Sequence, residues 1–162
     1  MDDLARERER AIQLAHRAVG RRERTVAEVR ALLERKRVEP EAIDEAVAEL
    51  RQAGLLDDAR YARRFAEDKR ELDLWGSERI ARELHRRGVA PELIEAAVAD
   101  QSRDAELRTA LLLLEQRAPS VLDDRERDRA WRLLVRRGYD PELAYEAVRR
   151  HERGPGGERQ AA

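Results

Sequence analysis

The sequence predicts an all-α fold of tandem three-helix repeats that form an elongated, curved helical array. Three observations carry this expectation. Apolar residues recur at the 3.6-residue period of helices and nowhere alternate with period two. Five columns return along the chain: Leu33/Leu84/Leu134, Pro40/Pro91/Pro141, Glu41/Glu92/Glu142, Ala46/Ala97/Ala147 and Val47/Val98/Val148. Their period is a near-constant ~50 residues, the mark of a repeat protein. Charged residues make up 43% of the 162, against a usual share of about 25%. An elongated array offers the surface for that many charges and a compact sphere does not.

The elements follow in order. From Asp2 to about Val19 one helical face carries Leu4, Ala11, Ile12, Ala15, Ala18 and Val19, and Gly20 ends the helix. Thr25 with Glu28 matches a capping box, so a second helix runs from Val26 to about Lys36 over Val29, Leu32 and Leu33. Pro40 fits a first helical position and Glu41 suits the positive end of the dipole. The helix they open carries Ile43, Ala46, Val47 and Leu50 and stops at Gly54.

The next helix starts over Asp57 and Asp58 and presents Tyr61, Ala62, Phe65 and Ala66 on one face. The pattern then returns. Ser77 to Arg87 is helical, with Ile80, Ala81 and Leu84 inward and Gly88 closing it; Pro91 opens another helix over Leu93, Ile94, Ala97 and Val98. A longer helix spans Arg103 to Arg117 with Ala105, Leu111, Leu112 and Leu114 inward. The third copy starts over Asp123 or Asp124 and carries Ala130, Trp131, Leu133 and Leu134 to Gly138; Pro141 opens the last helix. The chain thus divides into an N-terminal helix plus first repeat hairpin (1–54), a linking helix plus second hairpin (55–102), a third repeat (103–152) and a disordered tail (153–162).

Composition excludes several function classes. With no cysteine, disulfides and thiolate metal sites are ruled out. The longest apolar run, Ala110–Leu114, is too short to span a bilayer, and the N-terminus lacks the pattern of a signal peptide. A cytoplasmic protein with no membrane association is expected. The net charge of −1 exerts no strong long-range pull on a polyanion. Arginine greatly outnumbers lysine, which suits bidentate phosphate contacts but is more simply the imprint of a GC-rich genome.

Catalysis finds little support. His16, His85 and His151 fall on different helices without ligand spacing, and no phosphate loop, nucleophile elbow or HExxH motif occurs. Ser77, Ser102 and Ser120 lie near helix starts, where capping accounts for them. Asp57 and Asp58 read as helix caps rather than as an acid–base pair or a cation site. No enzyme activity, metal or cofactor is expected. Trp131 sits on the apolar side of its helix; Trp75 stands at a loop–helix junction, where core packing and base stacking are both open.

The basic clusters Arg35-Lys36-Arg37, Arg86-Arg87 and Arg136-Arg137 hold equivalent places at the ends of three helices. Cations there complement the helix dipole without any partner. Stacked repeats could also bring them into one row that meets phosphates or an acidic surface. Arg63 and Arg64 are weaker candidates of the same kind, as are Arg21, Arg22 and Arg24.

One pair of motifs is more specific. Gly54-Leu55-Leu56-Asp57-Asp58-x-x-Tyr61-Ala62, followed by Gly76-x-x-Arg79-Ile80-x-x-Glu83-Leu84-x-x-x-Gly88-Val89, resembles the RecX family of recombination regulators. The resemblance covers roughly Glu9 to Val148 and departs at Leu55 and Trp75. It implies a non-enzymatic, monomeric protein that binds the RecA recombinase, lodges in the groove of the RecA–single-stranded DNA filament and limits its growth or activity, with at most weak direct DNA contact. It also implies that Gly54, Leu56, Asp57, Asp58, Tyr61, Ala62, Gly76, Ile80, Leu84 and Gly88 are mainly architectural.

Overall fold

Helices account for all the regular structure in the computed structural model, which describes residues 3–121 and 123–154. Among the described residues there are nine: α1 (Asp3–Arg21), α2 (Val26–Arg35), α3 (Pro40–Gln52), α4 (Asp58–Asp73), α5 (Ser77–Arg86), α6 (Pro91–Ala99), α7 (Arg103–Arg117), α8 (Asp124–Arg136) and α9 (Pro141–Arg153). They read as three consecutive triplets, α1–α3, α4–α6 and α7–α9. The expected tail beyond Gly154 lies outside the described residues.

The chain forms two compact units that interleave along the sequence. One takes the residues up to Arg64 together with Leu84–Ala97; the other takes Phe65–Glu83 and the residues from Val98 onward. In the first unit α1 packs on α3 and α2 closes the triplet. Its core joins Ala11 and Ala15 of α1, Val29 and Leu33 of α2, and Ile43, Ala46, Val47 and Leu50 of α3, with Leu56 beneath. In the second unit α9 packs on α7 and α8. There Leu107, Ala110, Leu113 and Leu114 meet Ala130, Leu134, Tyr139, Leu143, Ala147 and Val148. Alanines at these seams let helix backbones approach closely, so both cores are thin.

Helix ends are specified locally. Thr25 and Glu28 form the reciprocal capping box that the sequence predicts. Ser102, Asp123 and Asp140 each accept a backbone N–H at the start of α7, α8 and α9. Pro40, Pro91 and Pro141 open α3, α6 and α9 where no N–H is needed.

The middle helix of every triplet ends in one kind of turn. Val38 donates its N–H to Leu33 O (3.1 Å), Val89 to Leu84 O (3.1 Å) and Tyr139 to Leu134 O (3.2 Å). The residue before each donor is left-handed: Arg37 at φ 57°, Gly88 at 78° and Gly138 at 92°. Glycine is required at two of these turns for a second reason. A Cβ on Gly88 would overlap the Cβ of Ala27, and one on Gly138 would overlap the Cβ and backbone nitrogen of Arg79.

Several expectations are corrected. Gly20 does not end α1, which continues to Arg21 and is closed by the Arg24 side chain donating to Ala18 O (3.1 Å). Leu4 is 44% exposed, because the buried face of α1 begins only at Ala11. Leu112 is 43% exposed: four consecutive leucines go once round a helix, so they cannot all face in, and Leu113 and Leu114 do. Trp131 is half-buried at the edge of its core, with its indole N–H on Pro141 O (3.1 Å). Ser77 is no cap; it is the first residue of α5 and gives its own N–H to Glu106 Oε1 (2.7 Å).

Two stability outcomes follow from the glycine geometry. Urea unfolding of Gly138→Ala should show a loss of roughly 2–4 kcal/mol, since strain and overlap add. Gly54→Ala, at φ 71° with nothing within 4 Å, should lose only about 1 kcal/mol. Arg37→Gly should go the other way and gain up to about 1 kcal/mol by relieving a left-handed non-glycine residue.

Candidate interaction surface

The basic clusters predicted from the sequence sit on the three cap turns, and the turns differ in what holds them. At each, a carbonyl left over by the helix accepts a hydrogen bond from outside that helix. Lys36 O takes Arg10 Nη2 at 3.0 Å. Arg87 O takes the Thr25 hydroxyl at 2.7 Å. Arg137 O takes the Gly76 N–H at 2.9 Å. In the second and third turns the donor is the start of an earlier middle helix, α2 or α5, packed so closely that a Cβ cannot intervene. In the first turn it is a side chain from α1.

The opposite ends of those joints are satisfied as well. The N–H of Val26, at the start of α2, donates to Asp58 Oδ1 (2.9 Å), as Ser77 at the start of α5 donates to Glu106. Asp57 and Asp58 are therefore both caps, as expected, but of different helices. Asp57 accepts from Arg60 N in its own helix (2.9 Å), and that N–H holds its carboxyl below the usual range. Asp58 caps α2; burial pushes its carboxyl up, with the Val26 N–H pulling the other way.

These joints consume part of the predicted cationic set. Arg87 donates to the buried Tyr61 hydroxyl (2.6 Å) and lies 3.9 Å from Glu28, so Tyr61 links α4 to the turn after α5. Arg87, Arg86 and Arg22 border a hollow of about 610 Å³, where Glu28 offsets them. Arg137 donates to Asp73 O (2.7 Å), next to Leu74, which is itself left-handed at φ 52°. Arg64 pairs with Glu23 at 2.6 Å, while Arg63 and Arg136 are exposed.

The first turn is different. Arg35, Lys36 and Arg37 are all exposed. Among the described residues none of their side chains has an ion pair or hydrogen bond. Three adjacent cations at a helix C-terminus, one of them held in a strained left-handed conformation, make this the site best disposed to meet a negatively charged partner.

The remaining motif residues lie in the cores or at turns. Leu56, Ala62, Ile80 and Leu84 are buried, Gly54 carries the left-handed turn after α3, and Gly76 lies against the backbone of Gly138. Trp75 is covered by Arg79, whose guanidinium carbon is 4.0 Å from the ring centre, and by Lys69 at 4.9 Å. Sequence reasoning missed Arg10, Glu106 and the Tyr139 hydroxyl, which donates to Leu74 O (2.9 Å). Tyr139 stands in the repeat column with Val38 and Val89, and the added hydroxyl was the available signal. Among the described residues no group of three or more acidic or histidine side chains is placed to hold a metal, and no helix is long and apolar enough to cross a membrane.

Comparison with known proteins agrees with this architecture. Residues 11–50 match the RecX first three-helix domain and residues 57–98 the second. The regulatory protein RecX of Deinococcus radiodurans is 35% identical over 144 residues, covering 88% of this chain and 69% of that protein. The regulatory protein RecX of Trichlorobacter lovleyi is 37% identical over 127 residues, covering 75% of this chain and 82% of that protein. The crystal structure of RecX from Lactobacillus salivarius shares the fold at 16% identity, with a TM-score of 0.83 over 91% of this chain and 98% of that one. With two domain matches in tandem on the observed triplets, and relatives this similar over most of their length, the chain belongs to the RecX family of regulatory proteins.

Proposed function

We propose that this protein binds the RecA recombinase on single-stranded DNA and limits filament growth, ATP hydrolysis and strand exchange, acting as a monomeric, non-enzymatic regulator in the cytoplasm. Family membership supports the partner. The observation that carries the mode of contact is the exposed, unpaired Arg35-Lys36-Arg37 turn. With a net charge of −1, the molecule is not drawn to polyanions as a whole. A local cluster still steers docking and sets register against an acidic surface or phosphates at short range. Arg87 and Arg137 shape the cap turns from inside, so their loss would disturb the fold before it disturbed a contact.

The test is ATP hydrolysis by RecA on single-stranded DNA with this protein titrated in. Hydrolysis should fall. The variant Arg35→Ala/Lys36→Ala/Arg37→Ala should need roughly tenfold more protein for the same effect, about 1.4 kcal/mol of binding, at unchanged helical circular dichroism. No change with the wild-type protein would overturn the RecA reading. Wild-type potency in the triple variant would overturn the contact surface alone.

A further inference from the structure

The three copies can be laid over one another at the surface as well as in the core. Seven residues before the left-handed residue of each cap turn stand Arg30, Ala81 and Trp131. Four residues after each opening proline stand Asp44, Glu95 and Tyr145. In the first copy these two positions hold a surface ion pair, with Arg30 Nη1 2.6 Å from Asp44 Oδ1. In the third they hold two aromatic rings. The fold therefore has no need of aromatic residues here. Burial does not account for them either, since Tyr145 is 59% exposed.

Trp131, Tyr145 and Val148 line a groove of about 250 Å³ between α8 and α9, rimmed by Asp124, Arg127 and Asp128. That is below the roughly 300–1,000 Å³ of a pocket for a drug-sized molecule, and it suits a single side chain. The wall is already ordered. The Trp131 indole N–H is fixed on Pro141 O at 3.1 Å, and its side chain packs against the core of this unit. Docking there costs little further loss of side-chain freedom. The rim leans negative. Two carboxylates face one guanidinium, and Arg127 is already shared between Asp124 and Glu152. Asp128 meets Arg132 at 2.9 Å in an exposed pair that contributes little in water.

We propose that this groove is a docking site for a partner protein that inserts one aliphatic side chain beside an arginine or lysine. The aliphatic group covers Trp131, Tyr145 and Val148. The neighbouring cation lies over an aromatic face or against Asp124 and Asp128. Rigid tryptophan and tyrosine side chains carry a large share of binding energy once water is excluded from them. An acidic neighbour would meet the rim carboxylates, and a wholly polar segment would leave the rings in water. The proposal stands independently of the RecA reading and of the Arg35-Lys36-Arg37 turn, which belongs to the other unit.

The experiment is an NMR titration of the full chain with N-acetyl-L-leucyl-L-arginine amide. N-acetyl-L-leucyl-L-glutamate amide tests the charge, and N-acetyl-L-seryl-L-arginine amide tests the aliphatic anchor. The leucyl-arginine probe should shift the Trp131 indole N–H and the Val148 methyls, with a Kd on the order of millimolar. Each comparator should bind about threefold more weakly or worse. Trp131→Arg/Tyr145→Asp, which installs the pair of the first copy, should abolish the Val148 response at unchanged helical circular dichroism. Tyr145→Ala, at an exposed position, should weaken binding about tenfold and leave the thermal midpoint in place. No shift up to about 50 mM, equal binding of either comparator, or wild-type affinity in Tyr145→Ala would each overturn the proposal. Trp131 signals that move when the protein alone is diluted would overturn it as well, by assigning the groove to a second copy of the chain.

Discussion

The structure depends on one physical requirement: every helix leaves backbone donors at its start and acceptors at its end that must find partners. Here the start of one middle helix is placed against the end of another. The α5 cap carbonyl meets the Thr25 hydroxyl, and the α8 cap carbonyl meets the Gly76 N–H. A carboxylate from a following helix, Asp58 or Glu106, takes the N–H that is left. Each joint thus settles the start of one helix and the end of another in one place. Because these contacts are short and directional, they specify packing that seams of alanine would leave loose.

Much of this was legible in the sequence. The recurring prolines and leucines placed α2, α3, α5, α6, α8 and α9 because each column has a local cause, a helix start or a buried stripe. The Thr25–Glu28 box could be read for the same reason. The joints could not. Nothing in the neighbourhood of Asp58 says that its side chain will cap a helix 32 residues earlier, since that partner is supplied by packing. Leu112 misled because a run of leucines carries no phase. Gly20 misled because a glycine near a helix end is a frequent stop signal but not an obligatory one.

The candidate surface was legible in part. Charge clusters at helix ends were visible, but their division of labour was not. Arg87 and Arg137 are turned inward by Tyr61 and by the end of α4, whereas the equivalent stretch in the first repeat stays in solvent. The difference traces to Arg10, a residue with no motif around it, which supplies the hydrogen bond that a neighbouring helix start supplies elsewhere. Once that carbonyl is satisfied by a side chain, the turn is released from close packing and can carry bulk.

The three cap turns therefore differ in how they can diverge. At positions 88 and 138 any side chain collides with Ala27 or Arg79 as well as adopting an unfavourable φ, so substitution is closed off twice. At position 37 only the modest conformational cost applies, and an arginine is accommodated. Variation is thus channelled to one end of the repeat series. The second and third copies are held to a single residue, while the first can change its chemistry without disturbing a joint.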